Sequence, residues 1–168
     1  MTFNLDKKQR MMYYEYIKCC FCAFMWYFMR ISKELYNEIL YLTQCPPPES
    51  GGLLGGHNGV VTLFVSDKGS NIKSSYKYEP DTVFLNKTIN EWLSKNVDFL
   101  GIYHSHPHNC EALSSADIEY INEIMRCVNG YTDKLYFPIV IPSEKIISYY
   151  ALIVADEIQI FQDAIQLL

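Results

Sequence analysis

A chain of 168 residues, of which 49% are hydrophobic, is long enough for one packed core, short for two domains and too apolar to be disordered. Its net charge of −5 comes with no concentrated basic patch, so we expect no nucleic-acid partner. Three of the six cysteines crowd into residues 19–22, which makes a poor disulfide framework and favours reduced thiols in a cytoplasmic protein.

The N-terminal segment contains an unbroken apolar run of eleven residues, 19–29. This run has about half the length that a membrane-spanning helix needs, so we do not expect membrane attachment. It would suit a signal-peptide core, but no small-residue cleavage site follows it. The other interpretations are a translation start at Met29, or a helix that packs on the core or on a partner. We therefore assign residues 1–30 to an apolar extension of open status and residues 31–168 to one domain.

Three helices are predicted from capping residues and apolar periodicity. They begin at Ser32, Asp81 and Ser114, and the prolines at 46–48 stop the first. The predicted core-facing positions recur every third or fourth residue: Leu35, Ile39 and Leu42; Leu85, Ile89 and Leu93; and Ile118, Ile121, Met125 and Val128.

Strands are predicted between these helices, with a glycine-containing turn at residues 57–59. Their ranges are 51–56, 60–66, 72–78, 98–103, 135–141, 148–155 and 157–161. Helices interleaved with partly consecutive strands predict an α/β domain in which a mixed β-sheet packs between helices.

Two imidazoles, a hydroxyl and a carboxylate lie within fourteen residues, at His104, His106, Ser114 and Asp117. In an extended segment the two histidines point the same way, Pro107 turns the chain, and Asp117 follows the start of a helix. Two nitrogens and a carboxylate with one open position are a typical ligand set for catalytic zinc. The alternative is that Ser114 and Asp117 only cap the helix, and the serine can serve both purposes.

The run of His104, Ser105, His106 and Pro107, followed after six residues by Ser114-x-x-Asp117, resembles the JAMM motif of the MPN+/JAB metalloprotease family. The upstream context of that family, Glu-x-x-Gly-Leu-Leu-x-Gly, matches residues 49–56. The resemblance spans residues 31–161 and implies a single-domain MPN/JAB fold. Within that family, the sequence is similar to the stand-alone prokaryotic type, which includes the JAB deconjugases of CBASS antiphage systems.

This resemblance implies a role for each matching residue. His104, His106 and Asp117 would bind Zn²⁺, and Glu49 would take a proton from the attacking water and pass it to the leaving amine. Ser114 would donate a hydrogen bond to the developing oxyanion. The two remaining histidines, His57 and His108, have no place in the motif and are interpreted as turn and loop residues.

The activity implied is that of a zinc isopeptidase or peptidase that cuts after the carboxyl terminus of a ubiquitin-like protein. E1/E2-like conjugating enzymes would be its companions, and residues 72–78 are a candidate edge for pairing with an extended substrate tail. Three alternatives stay open: processing of a sulfur-carrier protein, a non-catalytic MPN scaffold, and a RadC-like protein. The acidic charge and the loop between the histidines and Ser114 fit the RadC-like alternative poorly.

Overall fold

The computed structural model describes residues 28–43, 49–67, 78 and 80–168. The helices in this part of the chain are α1 (Lys33–Leu42), α2 (Thr82–Ser94) and α3 (Ser115–Cys127). The strands are β1 (Met29–Ile31), β2 (Gly51–His57), β3 (Val60–Asp67), β4 (Asp98–Ser105), β5 (Lys134–Tyr136), β6 (Ile139–Ile141), β7 (Lys145–Val154), β8 (Glu157–Asp163) and β9 (Ile165–Leu167). Three predictions fall on residues outside these ranges: most of the apolar extension, the proline stop and the strand before Tyr78.

Each helix begins directly after the residue predicted to cap it. The hydroxyl of Ser32 accepts from the N–H of Leu35, and the carboxylate of Asp81 accepts from two N–H groups in the first turn of α2. Ser114 caps α3 in the same way. These side chains satisfy N–H groups that have no partner within the helix, so the predicted starts are confirmed. None of these described helices combines the length and the apolar character needed to cross a membrane.

In the part of the chain that the structure describes, a nine-stranded mixed sheet forms the centre of the fold. β2 pairs antiparallel with both β3 and β4, whereas β4 runs parallel to β5 and β6. β7 pairs antiparallel with β5, β6 and β8, and β1 lies parallel between β3 and β9. Since only Ala164 separates β8 from β9, one stretch of chain pairs with β7 at one margin of the sheet and with β1 at the other.

The two faces of the sheet are covered by different helices, because successive strand residues point to opposite faces. Leu53 and Ile102 pack in a buried cluster with residues of α2 and α3. Their neighbours Leu54 and Tyr103 pack on the other face with Ile39 of α1. The sheet therefore lies between helices, and the predicted α/β arrangement is confirmed.

The prediction of one continuous strand at residues 135–141 is wrong, because this segment is divided into β5 and β6. Pro138 lies between the two and has no N–H to donate to a ladder, while its carbonyl accepts from the N–H of His104 at 3.2 Å. The strand predicted at 98–103 continues through Ser105, which pairs with Val140. β7 begins at Lys145, three residues before the predicted start, and β1 and β9 were not predicted.

Some predicted core positions face solvent. Leu42, Leu93 and Ile118 are 50%, 41% and 43% exposed. Helix α2 buries Leu85 as predicted, and it also buries Thr88 and Trp92. The indole ring takes the space over Gly55, where an added Cβ would lie 2.8 Å from it. The packing of the Trp92 ring on Gly55 therefore determines which face of α2 lies against the sheet.

Candidate metal centre

Strand β4 delivers both histidines to the same face of the sheet. The main chain stays extended beyond the end of the strand, because the N–H of His106 donates to the carbonyl of Val140 at 3.0 Å. His104 and His106 therefore point, like Ile102, toward α3. The intervening Ser105 points the other way, is fully buried, and accepts a hydrogen bond from the N–H of Ser50 at 2.9 Å.

Helix α3 delivers Asp117 through its capping box. The N–H of Ser114 donates to Asp117 Oδ2 at 2.6 Å, and the N–H of Asp117 donates to Ser114 Oγ at 3.2 Å. The same carboxylate lies 3.4 Å from His104 Nε2 and 3.4 Å from His106 Nε2. The capping interpretation and the ligand interpretation are therefore compatible, since the cap holds the carboxylate against the imidazoles.

The spacing of these atoms fits a zinc ion. The two Nε2 atoms are 2.9 Å apart, and the potential ligand atoms of the three residues all lie within 4.8 Å of one another. Tetrahedral ligands about 2.05 Å from zinc lie roughly 3.3 Å from each other. The observed separations bracket that value, and two imidazole nitrogens with a carboxylate oxygen are donors that zinc accepts. The cluster could hold one metal ion and leave a fourth position open.

A hydrogen bond fixes the orientation of one imidazole. Nδ1–H of His106 donates to the carbonyl of Cys110 at 2.9 Å, which directs the lone pair of Nε2 toward the cluster. Cys110 is held in its turn by a hydrogen bond from its N–H to the carbonyl of Pro107. The contribution of Cys110 is thus its main-chain oxygen, and its thiol is exposed.

The electrostatics of the cluster keep Asp117 in the form that binds metals. Burial opposes ionisation, but hydrogen bonding to His104 and His106 outweighs it and holds the pKa of Asp117 well below its usual value. Burial also disfavours protonated His106, yet its contacts with Asp117 and the Cys110 carbonyl raise its pKa. The carboxylate is therefore ionised at neutral pH, as a metal ligand must be.

Glu49 and Ser114 lie in the walls of the cleft above the cluster. This cleft has a volume of about 740 Å³, and the three clustered residues line it as well. Glu49 precedes β2, and its Oε2 accepts from the N–H of Tyr78 at 3.3 Å. Its charge also helps to raise the pKa of His106. The structure thus brings all five sequence-predicted site residues to one cleft.

The two other histidines of the described residues lie away from the cluster. His57 is exposed at the end of β2 opposite to Gly51, the residue that pairs with His104. His108 lies in the loop after β4 and pairs with Glu144 on the surface at 3.1 Å.

Two further cleft residues, Tyr78 and Tyr120, were missed by the sequence analysis. Neither belongs to a local motif. Only the fold shows that they line the same cleft as Glu49 and Asp117.

Comparisons with known proteins identify a matching family and similar folds. The family model described as prokaryotic homologs of the JAB domain matches residues 32–159. No curated protein sequence matches the chain significantly. A solution structure of a protein from Desulfitobacterium hafniense aligns with a TM-score of 0.59 and 20% identity, over 83% of this chain and 92% of that one.

A second solution structure, of a protein from Salinibacter ruber, aligns with a TM-score of 0.48 and 16% identity, over 82% of this chain and 92% of that one. The first of these structures supports the fold. The match to the family model covers most of the chain and agrees with the motif at β4 and α3. The chain therefore belongs to the family of prokaryotic homologs of the JAB domain.

Proposed function

We propose that this protein is a zinc-dependent peptidase or isopeptidase that cleaves after the carboxyl terminus of a ubiquitin-like protein. The observation that carries the proposal is the convergence of His104, His106 and Asp117 at tetrahedral spacing, in a cleft whose wall contains Glu49. A capped helix needs none of the histidines. The charge of Glu49 acts on His106, and a carboxylate in the wall of the same cleft is suited to serve as a general base in hydrolysis.

The metal ligands in this proposal are the Nε2 atoms of His104 and His106 and the carboxylate of Asp117. When bound, zinc supplies a Lewis acid that polarises the scissile carbonyl and lowers the pKa of water to about 7. The Cys110 carbonyl and the Ser114 N–H orient two of the ligands from outside the cluster. Such outer contacts commonly strengthen metal binding by about ten- to a hundredfold.

Glu49 is assigned the proton transfers. Its Oε2 accepts from the N–H of Tyr78, which leaves Oε1 free to take a proton from the attacking water. The same carboxyl group then donates that proton to the nitrogen of the departing amine, so no second acid is required. General acid–base catalysis of this kind contributes about a hundred- to ten-thousandfold in rate.

Ser114 is assigned to the developing oxyanion. Its Oγ accepts from the N–H of Asp117, so the hydroxyl proton is free to donate into the cleft. A fixed donor of this kind stabilises charge that appears only in the transition state. One serine therefore caps α3 and serves the reaction.

The proposed substrate class is supported by the resemblance of the motif and by the cleft above the cluster. An extended tail of small residues would reach the bottom of the cleft more easily than a folded surface, and its main chain would supply hydrogen bonds. E1/E2-like conjugating enzymes, such as those of antiphage systems, are the proposed companions. Free thiols at Cys110 and Cys127 suit the reducing cytoplasm, which is the proposed location.

The test is incubation of the purified protein with ubiquitin-like fusions and isopeptide conjugates, followed by measurement of intact masses. Wild type and His57→Ala should cut after the last residue of the ubiquitin-like domain when zinc is present. Glu49→Gln and a chelator-treated sample should not cut. If zinc-loaded wild type cuts none of the substrates, or if chelation has no effect, the proposal is wrong. A cut confined to sulfur-carrier extensions would favour the processing alternative.

A further inference from the structure

Asp67, at the end of β3, is a buried carboxylate that lies outside the metal cluster. Only 4% of it is exposed. Its Oδ2 accepts two hydrogen bonds, from the hydroxyl of Tyr78 at 2.9 Å and from the N–H of Asp81 at 2.8 Å. A buried charge is stable only when donors of this kind surround it. One carboxylate therefore fixes the chain at two points just before α2.

Tyr78 connects this carboxylate to Glu49. Its hydroxyl donates to Asp67, while its main-chain N–H donates to Glu49 Oε2 at 3.3 Å. Its ring lies against Gly51, where an added Cβ would come within 2.6 Å of two ring atoms. The contact with Gly51 and the hydrogen bond to Asp67 together hold the Tyr78 side chain. They thereby help to fix the position of the main-chain N–H of Tyr78.

We infer that Asp67 and Tyr78 are positioning residues that hold the carboxylate of Glu49 in place for its proton transfers. This inference rests on the proposed function of Glu49. The side chain of glutamate has three rotatable bonds, and ordering it costs conformational entropy unless something fixes it. Because catalytic groups displaced by about 1 Å can lose roughly a hundredfold in rate, an anchored N–H beside the carboxylate matters. The anchor acts through Tyr78 and requires no contact between Asp67 and the substrate.

Three variants test the contacts of Tyr78 with Asp67 and Glu49 separately. Tyr78→Phe removes the hydroxyl and keeps both the ring and the main-chain N–H. Asp67→Ala removes the acceptor, whereas Asp67→Asn keeps an oxygen that both donors can use and should rescue most of the loss. Tyr41→Phe is the matched control, because Tyr41 lies on α1 and is 83% exposed.

Two measurements are made on each variant and on Glu49→Ala. The first is hydrogen exchange of the Tyr78 amide by NMR, which reports the bond to Glu49 without any substrate. The second is the cleavage of a ubiquitin-like fusion, with zinc affinity measured by chelator competition. Tyr78→Phe and Asp67→Ala should speed amide exchange and lower kcat, each by roughly tenfold, with KM and zinc affinity within about twofold of wild type. Glu49→Ala should speed the same exchange, and Tyr41→Phe should change neither quantity.

The outcomes distinguish this inference from the proposed function. Unchanged amide exchange in Tyr78→Phe, or an unchanged kcat in an active enzyme, overturns the positioning role and leaves the peptidase intact. A fall in kcat together with weaker zinc binding and a higher KM indicates a structural role and also overturns it. If the wild type cleaves nothing, the proposed function fails. Amide exchange in Glu49→Ala and Tyr78→Phe then still decides whether the three groups are linked.

Discussion

Replacing Asp117 separates its two roles, the helix cap and the metal ligand. In Asp117→Asn the side-chain oxygen can still accept from the N–H of Ser114, a bond of 2.6 Å in the wild type. In Asp117→Ala that bond is lost. The reciprocal bond, from the N–H of residue 117 to Ser114 Oγ, remains in both variants because its donor is main chain.

The expected costs follow from these contacts. Loss of one bond of a capping box costs about 0.5–1 kcal/mol, and loss of a negative charge in the first turn costs about 0.3–1 kcal/mol. Asp117→Ala should therefore lose about 1–2 kcal/mol without metal, and Asp117→Asn about 0.3–1 kcal/mol. For a domain of this size 1 kcal/mol corresponds to roughly 2–4 °C in Tm. Alanine should lower Tm by about 2–8 °C and asparagine by about half as much.

Zinc provides the second half of the assay. A ligand present at about a thousand times its Kd stabilises the native state by about 4 kcal/mol. Thermal unfolding followed by circular dichroism, in chelator and in buffered zinc, should therefore show a clear rise in Tm for the wild type. Neither variant of Asp117 should show this rise, because each lacks the anionic ligand.

The control is Glu119→Ala, which removes an exposed carboxylate from the same helix and should respond to zinc like the wild type. Equal stability of alanine variant and wild type in chelator would refute the capping argument. A full zinc-dependent rise in Tm for Asp117→Asn would refute the assignment of this residue as a ligand.

Ser114→Ala should lower kcat by about a hundred- to a thousandfold, and Ser114→Thr should restore most of it, because a hydroxyl donor is retained; equal rates would contradict the oxyanion role. Enlarging the last residue of the ubiquitin-like tail should lower kcat/KM more than changing the leaving amine. A larger effect of the leaving amine would contradict a cleft that selects substrates by the tail. Burial lowers the pKa of Lys134 to about 8, which is below its value in the unfolded chain. Between about pH 8 and 10 the unfolded chain therefore binds this proton more strongly than the folded protein does, and the stability of the fold rises with pH. Urea unfolding should show that the free energy of unfolding of the wild type, relative to that of Lys134→Met, increases over that pH interval. A difference between the two proteins that stays constant with pH would contradict this prediction.

Local signals in the sequence predicted the helix starts and the hairpin turn. The caps at Ser32, Asp81 and Ser114 depend on contacts within three residues, which a sequence shows directly. The turn between β2 and β3 contains Asn58 and Gly59, both with positive φ, as a tight hairpin of this kind requires. The metal cluster was predictable for the same reason, since its three residues lie in one short segment.

Long-range pairing explains what the sequence did not predict. β1 and β9 have three residues each. β1 pairs in parallel with β3, where Arg30 lies opposite Val60, and with β9, where Met29 lies opposite Ile165. No periodicity can be recognised over three residues. Pro138 was a usable signal for the division between β5 and β6, whereas the bond between Tyr78 and Asp67 depends on the fold alone. The position of Glu49 was known from the resemblance and not from local chemistry.

The most direct test of the account is the zinc content of the purified protein after titration with zinc and removal of the excess, measured by elemental analysis. Wild type and Glu49→Gln should each retain one zinc per chain, because Glu49 lies outside the ligand cluster, and His104→Ala should retain none. A wild type that takes up no zinc, or a His104→Ala variant that retains it, would contradict the assignment of this cluster as the metal centre.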